Sequence, residues 1–314
     1  KIHSLERLNQ LYLMSYAELR AVAPDTWTAW KKNLLSEFYH RTRNYLERPE
    51  SLAQRPDDTR EEVYRVTEGE FSRADIEHHL SMMPDDYLVT TYPGEVALHL
   101  RIVRELAVPR TFVAQHSYNT VGGFYNLVLC CPNKVETFKK IVGAMTAKNL
   151  NILGAQIYLR KDDIVILTIQ AEGAEGIDLS APKVWTDLQN NLHEVLDDCK
   201  DLATLFKTRM RYAQKKRPLP IVPKIQIDNT PASAYTVLRI EARDHLGMLY
   251  KIAKVLADLD IQIHRAKISC MGGRGIYVFY VSQRGQKIVF DRLIRRTKEN
   301  LINILLIEKM EDIG

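Results

Sequence analysis

The chain has 314 residues, 46% of them apolar, and a formal net charge of +5 from 44 basic and 39 acidic side chains. That length allows two or three domains with separate cores. The two charge signs are interspersed, which argues against a nucleic-acid surface. No apolar run reaches the ~18–20 residues of a membrane helix, and no signal-peptide pattern precedes the first helix. Cys130 and Cys131 are adjacent, Cys199 and Cys270 are isolated, and no Cys-x-x-Cys motif is present. Neighbouring side chains on a strand point to opposite faces, so the adjacent pair is neither a metal clamp nor an ordinary disulfide. A reducing cytoplasm is expected.

The chain opens at Lys1 directly on a helical pattern, as expected of a fragment or processed form of a longer protein. Residues 1–50 are expected to be helical, followed by a helical connector over 51–121. His78, His79, His99 and His116 lie in this part without metal-ligand spacing, and are expected to be surface or satisfied core histidines.

A first α+β unit is expected over 122–230. Phe124–Cys131 reads as a strand and Val135–Lys148 as a helix. Asn151–Arg160 and Ile164–Gln170 form a hairpin turning at Lys161-Asp162-Asp163. A helix is expected from Pro182 to Tyr212, then the basic, proline-containing link 215–220, with Pro223–Asp228 closing the unit as a strand. A second unit is expected over 231–314. Ala234–Ala242 is strand-like and ends at the turn Asp244-His245-Leu246-Gly247. Met248–Leu259 has apolar residues at amphipathic-helix spacing. Ile261–Ser269 and Ile276–Val281 flank a tight turn at Met271-Gly272-Gly273. A basic helix over Gln286–Asn300 and a last strand at Ile302–Ile307 complete it. Both units thus read βαββαβ, the ferredoxin-like order.

The two units are copies. Shifting the sequence by 111 positions lays Asn133–Ile157 on Asp244–Ile268 without a gap. Lys140/Lys251, Ile141/Ile252, Ile152/Ile263, Ala155/Ala266 and Ile157/Ile268 are identical, and Phe138/Leu249, Met145/Leu256 and Leu150/Ile261 keep apolar character.

Asp244–Tyr250, Ala257–Leu259 and Ile261–Ile268 resemble the signature of ACT domains. They are most similar to the second ACT domain of the bifunctional uridylyltransferase/uridylyl-removing enzymes, which modify the PII nitrogen-signal protein. The resemblance extends to Leu11–Pro24 (similar to the last helix of that family's HD domain) and to Trp27, Trp30-Lys31, Leu34-Leu35 and Tyr39 (similar to the helix after it). Met82–Leu88 resembles the connector before the first ACT domain, and Ile227-Asp228-Asn229 the join between the two. The family's nucleotidyltransferase needs a Gly-Ser loop with paired aspartates, and its uridylyl-removing site needs a His-Asp pair. This sequence has neither dipeptide, and its Asp258-Leu259-Asp260 sits at a helix end. Glu18 stands where the resemblance implies a late HD-domain aspartate. No catalytic residue, metal site or cofactor is therefore expected in this chain, and Mg2+ is implied only for the parent enzyme.

The expected site is for a small metabolite. Asp244, His245, Leu246, Gly247 and Met248 lead from a strand into a helix N-terminus, where unpaired N–H groups and the positive macrodipole suit a carboxylate. Gly247 lets the backbone approach closely. Asp244 serves either as helix cap or as acceptor for an α-ammonium group. Gln262 and Ile263 at the next strand's start complete this site. Their first-copy equivalents are Asn133, Val135, Glu136, Asn151 and Ile152. Glu136 places a carboxylate where an anionic group should go, so the second copy is expected to be the better sensor. The resemblance implies glutamine as ligand, the PII protein as partner of the whole enzyme, and pairing of ACT domains within or between chains. The alternatives are a stand-alone ACT interaction module without ligand, and a divergent HD-type metal-dependent phosphohydrolase.

Overall fold

A computed structural model of the chain describes residues 4–22, 35, 38–39, 42, 56–85, 87–106, 111–120, 123–134, 136–174, 177–207, 221–230, 234–271 and 273–306. It divides into two compact units, Lys1–Arg104 with Ser117–Phe124, and Glu105–His116 with Tyr125–Gly314.

The first unit is helical: α1 (Leu5–Val22), α2 (Pro56–Val66), α3 (Arg73–Met82), the single turn α4 (Tyr87–Thr90) and α5 (Pro93–Leu106). Ser72 and Asp75 form a reciprocal capping box that starts α3. Arg101 chelates Glu70 with contacts of 2.7–2.9 Å, tying α5 to the loop before α3. The histidines of this unit behave as satisfied residues. His79 and His99 are buried on either side of Tyr87, whose hydroxyl is 2.7 Å from His99 Nδ1, while His78 is exposed. Of the segment expected to follow α1, only scattered residues are described; Tyr39 donates to Asn9 Oδ1 at 2.7 Å. Trp27, Trp30, Lys31 and Leu34 lie outside the described residues.

From Val113 onward the described residues form an eight-stranded sheet with helices. In chain order it contains β1 (Val113–Asn119), β2 (Phe124–Pro132), α6 (Thr137–Ala147), β3 (Leu150–Leu159), β4 (Ile164–Gly173), α7 (Pro182–Leu196), α8 (Leu202–Lys207), β5 (Lys224–Asp228), β6 (Thr236–Arg243), α9 (Met248–Asp258), β7 (Ile261–Met271), β8 (Arg274–Gln283) and α10 (Asp291–Leu306). The strands run β1-β2-β4-β3-β7-β8-β6-β5 across the sheet. The α+β class expected from the sequence is what is observed.

The 111-residue shift carries α6 onto α9 bound for bound, and β1, β2 and β3 onto β5, β6 and β7 to within two residues. Left-handed Asn149 (φ 56°) and Asp260 (φ 55°), equivalent under the shift, turn each helix into the next strand. Each of those strands has a bulge at the same place, at Leu153 in β3 and at His264 in β7.

The strand order within each copy differs from the expected one. Ile302–Leu306 is helix, because Leu301 and Leu305 are buried four residues apart while Ile302 and Leu306 face solvent. That is a 3.6-residue period, and a run of β-branched and apolar residues hid it. The strand at 224–228, expected to close the first copy, pairs instead with β6 of the second, Ile225 opposite Ile240 and Ile227 opposite Leu238. Ile227-Asp228 is therefore sheet rather than a join. The corresponding edge strand of the first copy is β1, in a stretch expected to be helical. Each copy thus reads ββαββα, with its edge strand upstream instead of downstream. The long helix expected from Pro182 breaks at Asp197 and left-handed Asp198 (φ 58°) before α8, and residues 208–212 lie outside the described set.

The two copies pair side by side within the chain. β3 and β7 run antiparallel, with Ala155 opposite Ile268 and Ile157 opposite Ala266. One continuous apolar core takes Ile141 and Met145 from α6, Ile252 and Leu256 from α9, and all four seam residues. The identities that betrayed the repeat are mostly these core and seam positions.

Candidate functional site

The Asp244–Gly247 loop has the backbone expected of it. Gly247 caps α9 in the left-handed region (φ 89°), and Lys251 N–H and Met248 N–H donate to Gly247 and His245 carbonyls at 3.0 and 2.9 Å. Its side chains do something else. Asp244 does not cap the helix; it accepts from the hydroxyl of fully buried Tyr277 at 2.8 Å. Burial pushes the Asp244 carboxyl up to about 6, against the Tyr277 hydrogen bond, with Glu172 nearby adding to the rise. His245 Nδ1 lies 3.0 Å from the Leu246 carbonyl, and burial holds the ring's pKa below its ordinary value. A carbonyl can only accept, so Nδ1 carries the proton in that contact, and the buried Nε2 has no hydrogen-bond partner among the described residues.

Gln262 and Ile263 lie at the start of β7, after α9. They line a small cavity of about 20 Å3 together with Asn133, Lys134, Thr137 and Phe138 of the other copy, floored by Ile157, Val165 and Leu167. The volume suffices for about one water. Thr137 Oγ accepts from Lys134 N–H at 2.9 Å, fixing the turn into α6. Glu136, expected to spoil this site, points elsewhere: its carboxylate is exposed and paired with Lys139. Val135 lies outside the described residues.

Asn151 donates to Glu172 Oε1 at 3.0 Å on neighbouring strands of the first copy, and Ile152 beside it is buried. The α6 loop therefore shares a cavity with the start of β7 of the other copy, and its lining is uncharged apart from Lys134.

The sequence reading grouped each loop with the strand start of its own copy. It did not single out Thr137, Phe138, Glu172 or Tyr277 as site residues. The identical Ala155/Ala266 and Ile157/Ile268 lie across the seam from one another's copies.

A sequence profile described as an ACR9-like, ACT-like domain matches residues 224–311. Those residues form an ACT-like domain. The match begins at the edge strand β5, in keeping with its pairing. The whole chain is similar to bifunctional uridylyltransferase/uridylyl-removing enzymes. It is 27% identical over 311 residues to that of Azospirillum brasilense, covering 97% of this chain and 33% of the relative. To that of Gluconobacter oxydans it is 27% identical, covering 96% and 32%, and to that of Nitrosospira multiformis 26%, covering 94% and 33%. The chain spans about a third of the length of the curated relatives it matches. Around this ACT-like domain, no helix among the described residues is long and apolar enough to cross a membrane. No group of three or more His, Cys, Asp or Glu side chains among them could hold a metal ion. Glu18 is exposed on α1.

Proposed function

We propose that this chain is the amino-acid-sensing regulatory region of a cytoplasmic enzyme that attaches UMP to, and removes it from, the PII signal protein, with glutamine as the ligand. The observation that carries the reading is the composite cavity, in which Asn133, Lys134, Thr137 and Phe138 of one ACT-type module meet Gln262 and Ile263 of the other. Widened from its one-water volume to admit an amino acid, it lets a ligand touch both modules, so the ligand's binding free energy depends on how they are arranged. That dependence is what an allosteric effector requires, and it commonly amounts to ~1–3 kcal/mol. The start of α6 offers N–H donors to a carboxylate, and the Gln262 amide can pair with a side-chain amide. UMP transfer from UTP, its hydrolytic removal and the Mg2+ these need belong, in this reading, to other parts of a full-length enzyme.

Calorimetric titration of L-glutamine into the whole chain tests the proposal. Saturable binding that Gln262→Ala and Thr137→Val each weaken supports it. The small volume of the cavity favours a second reading, a closed pair of modules that serves only as an interaction surface. If no proteinogenic amino acid raises the melting temperature, that second reading stands, because a ligand of the native state must stabilise it.

A further inference from the structure

The last helices of the two modules, α7 and α10, occupy the same place in their copies but present different faces to solvent. On α7 the exposed residues include Lys183, Thr186, Gln189, Asn190 and His193, and the partly exposed Asp187 and Glu194 are each paired with a lysine. On α10 they include Arg292, Arg295, Arg296, Glu299, Ile302 and Leu306. The arginines lie at i, i+3 and i+4, so they share one side of the helix, and with Glu299 they surround an open concavity. None of the three forms an ion pair among the described residues. Like charges at this spacing oppose one another, and Glu299 is one carboxylate among three guanidinium groups in the lining. Farther along the same side, Ile302 and Leu306 are 41% and 62% exposed. From Arg295 the steps to Glu299, Ile302 and Leu306 are four, three and four residues, a continuous stripe. The sister helix shows that the module's fold requires neither the cations nor the apolar pair.

We propose that this stripe of α10 docks an acidic amphipathic helix of a partner protein. Guanidinium groups meet carboxylates in planar, two-point contacts, which lysines do not provide. Ile302 and Leu306 supply the apolar half of a helix-on-helix contact. A nucleic acid fits less well. Glu299 sits among the arginines, where a phosphate backbone would be repelled, and phosphates have no use for the apolar end of the stripe.

The test uses the whole chain and a fluorescein-labelled synthetic helical peptide with Glu and Leu at three- and four-residue spacing. A scrambled peptide of the same composition and a short single-stranded oligonucleotide are the controls. The expected result is saturable binding of the helical peptide, about tenfold tighter than the scrambled one. The double variant Arg295→Glu/Arg296→Glu and the single variant Ile302→Asp should each abolish that preference. All three positions are exposed, so both variants should keep the melting temperature and the helical circular dichroism of the parent. Absence of binding overturns the proposal. So does equal binding of both peptides, or oligonucleotide binding that survives Ile302→Asp.

Discussion

Gln156 and Lys267 are Cα partners across the β3–β7 seam, and they are the same position of the two copies, 111 residues apart. A residue facing its own equivalent marks a local two-fold axis. Ala155 therefore faces Ile268 for the same reason that Ile157 faces Ala266: a small side chain on one copy makes room for a large one on the other, twice.

Truncating one large member of this pattern should loosen both modules at once. Ile268→Ala is expected to cost about 2–5 kcal/mol in a urea unfolding experiment, as for other buried Ile or Leu truncations. The transition should stay single, because the two halves share one core. Two separated transitions for the parent chain's sheet unit would contradict the shared core.

Gly143 lies in the middle of α6, where an added Cβ would come within 2.8 Å of the Leu202 methyls and 3.1 Å of Tyr250 Cδ2. Gly143→Val is therefore expected to destabilise by about 1–3 kcal/mol through overpacking, whatever helix propensity it gains. Gly143→Ala should cost less, since the Leu202 side chain can swing. Thermal unfolding of the two variants gives the order.

The buried Asp244 carboxyl sets a pH dependence of definite sign. Its folded value, about 6, lies above the ordinary 3.8. The folded chain holds this proton more tightly than the unfolded one, so the associated stability is full below about 3.8 and lost as pH rises through about 6. Asp244→Asn keeps an acceptor for Tyr277 and removes the titration. The melting temperature of the variant relative to the parent should climb between those two pH values and level off above them. A difference that falls over that interval would be incompatible with a buried carboxylate there.

The composite cavity makes a separable prediction for ligand binding. Gln262→Ala should weaken binding at the cavity next to α6, while Asn151→Ala, which breaks the Glu172 contact outside that cavity, should leave binding unchanged. Calorimetric titration of both variants separates them. Equal losses from both substitutions would mean that the site extends beyond the cavity lining.

Much of this was legible in the sequence. The α6/α9 helices, the β3/β4 and β7/β8 hairpins and the Asp244–Gly247 turn followed from periodicity and turn residues. What escaped depended on distance. Residues 113–119 become a strand because β2 offers them an edge, and the strand at 224–228, which its alternation did announce, takes its edge from β6 of the second copy instead of closing the first. The Asp244–Tyr277 bond joins residues 33 apart, and nothing in the Asp-His-Leu-Gly turn distinguishes a buried acceptor from a helix cap. The ranking of the two sites rested on Glu136, whose ion pair with Lys139 turns it away from the cavity; a sequence does not say which way a carboxylate points.

The upstream position of β5 bears on how the protein is made. As synthesis proceeds from the N-terminus, every described strand of the second module has emerged once β8 is complete, and of the described elements only α10 remains. Until Leu301 and Leu305 arrive to be buried, the finished sheet lacks part of its covering. A nascent chain paused after β8 should therefore be a more attractive client for a hydrophobic-surface chaperone than one paused after α10.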